Sequence, residues 1–83
     1  MTEQKLQMYC TPWCGDCRAA RQWLESRGIE YEEIDVSTDL SLREKAAAHN
    51  NGELHTPTFE YGEAVCVDFR PEHLCKIMGI EYR

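Results

Sequence analysis

Two thiols stand two residues apart in Cys14-Gly15-Asp16-Cys17. If a helix begins at the first of them, both sulfurs lie on one side of its first turn, close enough to close a small disulfide ring. The first sulfur then faces unpaired N–H groups and the positive end of the helix dipole. Both favour its ionised form, and the thiolate is the reactive species. The chemistry that fits is thiol–disulfide exchange: Cys14 attacks, and Cys17 resolves the mixed disulfide. Cys17, one turn further in, is expected to be less accessible and less acidic than Cys14.

The same spacing serves zinc ribbons, and Cys10 extends it to C-x-x-x-C-x-x-C. A small zinc or iron–sulfur module using Cys10, Cys14 and Cys17 is therefore the rival reading. A structural zinc site needs four ligands, and no second C-x-x-C or His-x-x-x-His pair supplies the rest. Iron–sulfur radical enzymes with this spacing need a far larger domain. Asp16 disfavours a second negative charge on the neighbouring sulfurs, an effect that Arg18 and Arg21 can offset; alternatively it is a first-turn acid that stabilises the helix. Trp13 is placed to shield the reactive sulfur, whereas Trp23 is assigned to the core. Thr56-Pro57 precedes a strand, where the proline either forms a cis peptide or opens an edge strand in trans. His49, His55 and His73 lack metal spacing and read as loop or surface residues; Cys66 and Cys75 read as small buried hydrophobes.

These residues need elements to hold them. Lys5 to Tyr9 reads as a first strand, with Leu6 and Met8 on one face and Lys5, Gln7 and Tyr9 on the other. Cys10 to Trp13 reads as a loop. From Cys14 to Arg27 the pattern is helical, with Cys17, Ala20, Trp23, Leu24 and Arg27 near one stripe and Gly28 as its left-handed stop. Ile29 to Val36 reads as a second strand, whose Glu30, Glu32 and Glu33 suit a sheet edge. A helix capped within Ser37-Thr38-Asp39 runs through Leu40, Leu42 and Ala46 to Ala48 and stops at Asn50-Asn51-Gly52. Thr58 to Tyr61 and Glu63 to Val67 form a hairpin around Gly62. A last helix starts at Pro71, presents Leu74, Ile77 and Met78, and ends at Gly79. The order β-α-β-α-β-β-α predicts a mixed sheet with helices on both faces.

The whole chain, 1–83, is the size of one small domain with a thin core. Its formal net charge of −6 and lack of a basic run argue against nucleic acid or an anionic membrane as partner. No stretch has the length of a membrane span or a signal-peptide core, and Met1 to Lys5 is polar, so a cytoplasmic location is expected. Five cysteines raise the alternative of a disulfide-stapled secreted scaffold, but the count is odd and no secretion signal is visible.

Tyr9-Cys10-Thr11-Pro12-Trp13-Cys14-Gly15-Asp16-Cys17 and Thr56-Pro57-Thr58-Phe59 together resemble the glutaredoxin family of the thioredoxin fold, from about Lys5 to Ile77. The resemblance implies a four-stranded thioredoxin-like domain in which Cys14 is the nucleophile, Cys17 resolves, and Pro57 is cis and faces the disulfide. The Thr56 backbone would pair with the cysteinyl part of a bound thiol peptide. Three features depart from the family pattern. Trp13-Cys14-Gly15 looks more like thioredoxin, which has proline at the place of Asp16. The Gly-Gly turn that precedes the glutathione-holding Asp is replaced by Cys66-Val67, leaving Asp68 to serve. Phe69-Arg70-Pro71 is similar to a segment of the small redoxins that supply ribonucleotide reductase and are themselves reduced by thioredoxin reductase.

The expected function is that of a dithiol–disulfide oxidoreductase acting on protein or glutathione mixed disulfides. Catalytic residues are Cys14 and Cys17; substrate-binding candidates are Trp13, Thr56, Pro57 and Asp68. No bound cofactor or metal is implied. Electrons would come from glutathione, a candidate co-substrate, or from a thioredoxin reductase, and a monomer is expected.

Overall fold

A computed structural model describes residues 5–82; the polar segment Met1 to Gln4 lies outside them. The strands are β1 (Leu6–Cys10), β2 (Tyr31–Asp35), β3 (Thr58–Tyr61) and β4 (Ala64–Val67). The helices are α1 (Gly15–Ser26), α2 (Leu40–Ala48) and α3 (Pro71–Met78). The strands form one mixed sheet in the order β2-β1-β3-β4. β1 runs parallel to β2 across the α1 crossover and antiparallel to β3, and β3 and β4 form the hairpin. This is the mixed sheet that the element order predicts, in the thioredoxin-like arrangement that the resemblance implies.

Period-two alternation along β1 divides the core. Leu6, Met8 and Cys10 join Cys17, Ala20 and Leu24 of α1, Phe59 of β3, Cys66 of β4 and Leu74 of α3 in the larger cluster. Tyr9 faces the other way, into a smaller cluster with Val36 and Ala46 of α2. Helices therefore cover both faces, α1 and α3 on one and α2 on the other. The second face is partly polar. Tyr9 Oη donates to Glu60 Oε1 (2.8 Å), and His49 and Lys45 reach the same carboxylate. The Glu60 carboxylate is thus satisfied from Tyr9 and α2, which explains how it can sit on an inner strand.

β2 is an edge strand, as its glutamates predict. One of them, Glu33, takes a two-pronged hydrogen bond from Arg21 (2.7 and 2.8 Å), tying α1 to the edge. Several element boundaries differ by a residue or two from the sequence reading, and in β1 and β2 the cause is visible. β1 extends through Cys10, because the Val36 N–H still reaches the Cys10 carbonyl (2.9 Å) and pairing continues past Tyr9. β2 is shorter than Ile29 to Val36, since the Ile29 N–H turns back to Leu24 to close α1. Trp23 is half-buried at the margin of the core: its ring meets Phe69 edge-on at 6.0 Å, and the Arg27 guanidinium lies 4.4 Å over it. Leu40, the first residue of α2, is 69 % exposed. No helix among the described residues is long and apolar enough to cross a membrane.

Candidate functional site

The chain leaves β1 at Cys10, makes a tight turn in which the Cys14 N–H donates to the Thr11 carbonyl (3.3 Å), and enters α1. Cys14 is the N-cap of that helix, with extended backbone (φ −84°, ψ 115°). Its sulfur accepts the Cys17 N–H at 3.2 Å, the place usually taken by a capping Ser, Thr, Asp or Asn oxygen. The spacing expected from the sequence is therefore realised in a specific form: the nucleophile caps the helix that carries its partner. A thiolate at this position receives an orphan backbone donor and the positive end of the dipole.

Across from α1, the loop before β3 brings Thr56 to the site. The Thr56–Pro57 peptide is cis, and the Cys14 thiol donates to the Thr56 carbonyl at 3.4 Å. Pro57 is buried, and its carbonyl accepts the Asp68 N–H at 2.9 Å, which clamps the end of β4 beside the start of β3. Asp68 takes a left-handed backbone (φ 74°), and its Oδ1 accepts the Phe69 N–H at 2.8 Å. Cys14, Cys17, Thr56 and Pro57 thus converge, and Asp68 joins through the Pro57 contact. Trp13 lies beside Cys14 in sequence with 76 % of its surface open to solvent.

Among the five cysteines, all free thiols, Cys14 alone is partly accessible. Burial pushes the Cys14 thiol up, outweighing the lowering by the Thr56 side chain and by the Cys17 N–H. Cys17 is fully buried, as its inner position predicts. Interaction with the Cys10 thiol lowers Cys17, against the effect of its burial. Cys10 is pushed up by the same contact. Folding thus brings Cys10 and Cys17 into one buried cluster. The sequence pattern cannot reveal this, because nothing in it says that the last residue of β1 lies against the first turn of α1.

His55 is a second feature that the sequence pattern does not single out. Its Nε2 lies 3.2 Å from Asp68 Oδ1, next to the Thr56–Pro57 segment. Burial pushes the Asp68 carboxyl up, but the Phe69 N–H and the His55 imidazole together hold it below the ordinary range. Asp16 is exposed in the first turn of α1, the position of a helix-stabilising acid. No group of three or more His, Cys, Asp or Glu side chains among the described residues is arranged to hold a metal ion. Cys10 is turned into the core, so the trio required by the metal reading does not present a common face.

Residues 6–64 match the family model described as glutaredoxin. A protein of Bacillus subtilis described as uncharacterized protein YusI is 40 % identical over 43 residues, 52 % of this chain and 36 % of that one. A glutaredoxin-like 8.6 kDa protein of the rubredoxin operon of Clostridium pasteurianum is 30 % identical over 40 residues, 48 % of this chain and 53 % of that one. The chain thus spans about half or less of the length of the curated relatives it matches. Among solved structures, a mutant form of the thioredoxin-like protein BC3987 superposes with a TM-score of 0.79 at 28 % identity, covering 93 % of this chain and 97 % of that one. The glutaredoxin of Archaeoglobus fulgidus has the same fold, with a TM-score of 0.76 at 19 % identity over 90 % and 86 % of the two chains.

Proposed function

The chain belongs to the glutaredoxin family, and from that premise we propose that it is a dithiol–disulfide oxidoreductase cycling through Cys14 and Cys17. The observation that carries the reading is the placement of Cys14: a partly exposed thiol that caps α1, accepts the Cys17 N–H and faces the Thr56 carbonyl.

The Cys14 thiolate attacks one sulfur of a substrate disulfide; a Cys14–substrate bond forms, and the other substrate sulfur leaves as thiolate and takes a proton from solvent. Two features lower the barrier to forming that thiolate: the backbone donor of Cys17 and the helix N-terminus. While the mixed disulfide lasts, the Thr56 carbonyl, no longer receiving the Cys14 proton, is free to accept an N–H of the substrate backbone. Exposed Trp13 offers apolar surface to the same substrate. Cys17 then attacks Cys14, the Cys14–Cys17 disulfide forms, and the reduced substrate departs.

Two-electron reduction of that disulfide completes the cycle. Asp68 is a carboxylate suited to the ammonium group of glutathione, whereas Phe69-Arg70-Pro71 supports a thioredoxin-reductase-like donor. The substrates proposed are protein disulfides and glutathione mixed disulfides, in the cytoplasm, with a monomeric protein.

The test is a pair of NADPH-coupled assays on one preparation, one with glutathione and glutathione reductase, the other with thioredoxin reductase. Turnover in either supports the reading, and the faster assay identifies the donor. Cys14→Ser is expected to abolish turnover in both, and Cys17→Ser to spare only exchange that needs one thiol. Full activity in Cys14→Ser would sink the assignment.

A further inference from the structure

We propose that His55 is a positioning residue that sets specificity: it sits on the Asp68 carboxylate where the ammonium group of a thiol peptide would bind, so its charge selects between glutathione and protein substrates. The proposal rests on the exchange reading above and names what decides among the substrates of that site.

The pair is assembled where β4 ends beside the start of β3. The Pro57 carbonyl accepts the Asp68 N–H at 2.9 Å, which fixes Asp68 next to the cis Thr56–Pro57 peptide. The Thr56 carbonyl in turn receives the Cys14 thiol. A ligand that runs from the Cys14 sulfur along Thr56 is therefore led toward Asp68. His55 closes the same corner, with Nε2 3.2 Å from Asp68 Oδ1. Its backbone is held independently of the ring, because its carbonyl accepts the hydroxyl of fully buried Thr58. The carboxylate is held independently too, since Oδ1 also accepts the Phe69 N–H at 2.8 Å. Both side chains remain open to solvent, at 46 % for His55 and 36 % for Asp68.

Two basic side chains act on the Asp68 carboxylate: His55 and, more weakly, Arg70 at the N-cap of α3. On the α1 side, Cys14 meets the corner through Thr56. An imidazole changes charge between about pH 5 and 8, whereas a carboxylate and a guanidinium keep theirs over that range. As imidazolium, His55 supplies the positive charge that Asp68 would otherwise take from a ligand, and an incoming ammonium group meets a neutralised pair. As neutral imidazole it leaves one full negative charge at the corner. A protein disulfide, whose reacting cysteine lies inside a chain, brings no ammonium group there and is indifferent to the switch. Falling pH thus disfavours glutathione and spares protein substrates.

The test measures binding in full-length reduced protein, so no turnover is needed. The probe is S-methylglutathione, which keeps the ammonium group and has no thiol to exchange. Its dissociation constant is read from NMR shifts at about pH 5.5 and about pH 7.5. His55→Gln keeps a donor for Asp68 without the charge. It is expected to bind the probe about threefold more tightly than the native protein at the lower pH and equally at the higher. His55→Lys is charged at both and is expected to bind about threefold more weakly than the native protein at the higher pH. N-acetyl-S-methylglutathione, which lacks the ammonium group, is expected to bind all three proteins alike, whereas a merely structural role for His55 would move both probes together. Equal affinities for S-methylglutathione in all three proteins at both pH values, equal changes with the acetylated probe, or no measurable binding by the Gln variant overturn the proposal. Those results leave the exchange reading intact if Cys14→Ser is inactive in the coupled assays; an active Cys14→Ser removes that reading, whatever the probes do.

Discussion

Asp68→Asn separates a charge from the scaffold that holds it. Asparagine keeps the Oδ1 acceptor for the Phe69 N–H, and it tolerates the left-handed backbone at φ 74° better than most residues. What disappears is the negative charge offered to the ammonium group of glutathione. Opposite charges about 4 Å apart near a protein surface attract by roughly 4 kcal/mol before solvation and entropy are counted, and exposed pairs keep only about 0.2–1 kcal/mol of it. The Asp68 side chain is only 36 % exposed, so the upper end of that net range, about 1 kcal/mol, is the appropriate figure. The expected result is a KM for glutathione raised about fivefold in the glutathione-reductase-coupled assay. kcat at saturating glutathione and the rate with thioredoxin reductase are expected to stay unchanged. A KM for glutathione that does not move, in a variant that folds normally, refutes the placement of the ammonium group at Asp68.

Two further expectations concern the scaffold. Glu60 resists the upward push of burial because His49, Tyr9 and Lys45 hold its carboxylate below the ordinary range. A depressed folded-state pKa contributes stability that is present above the unfolded value of about 4.3 and is lost as pH falls through the folded value. Glu60→Gln is accordingly expected to cost about 1–2 kcal/mol at neutral pH and to flatten the loss of stability below about pH 4, measured by urea unfolding across pH; equal acid sensitivity in both proteins refutes this. Leu74, fully buried between α3 and the sheet, is expected on change to Ala to cost about 2–5 kcal/mol, a large part of the stability of so small a domain. A shift in the unfolding midpoint worth less than about 1 kcal/mol would mean that α3 collapses onto the cavity.

The chain order carried most of the fold. Period-two and period-3.6 patterns, Pro71 opening a helix, and glycines at Gly28, Gly62 and Gly79 are local signals, because each depends on backbone sterics within a few residues. The edge position of β2 was legible too, since repelling glutamates mark a strand that has water on one side. Cys14 and Cys17 were legible for the same reason: two sulfurs on one helical turn are a local geometry. Strand ends were less so, because Cys10 stays in β1 through pairing with Asp35 and Val36, on the far side of α1.

What the tertiary structure decided is what surrounds these sulfurs. From the spacing alone, the helix terminus makes Cys14 the acidic thiol and leaves Cys17 an ordinary inner one. Folding gathers Cys10 and Cys17 into one buried cluster, places the Thr56 carbonyl against Cys14 and sets His55 beside Asp68. All three are contacts between elements that only the sheet brings together. Thiolate stability in a buried site depends on the donors that face it in space, and no local pattern encodes which donors those are.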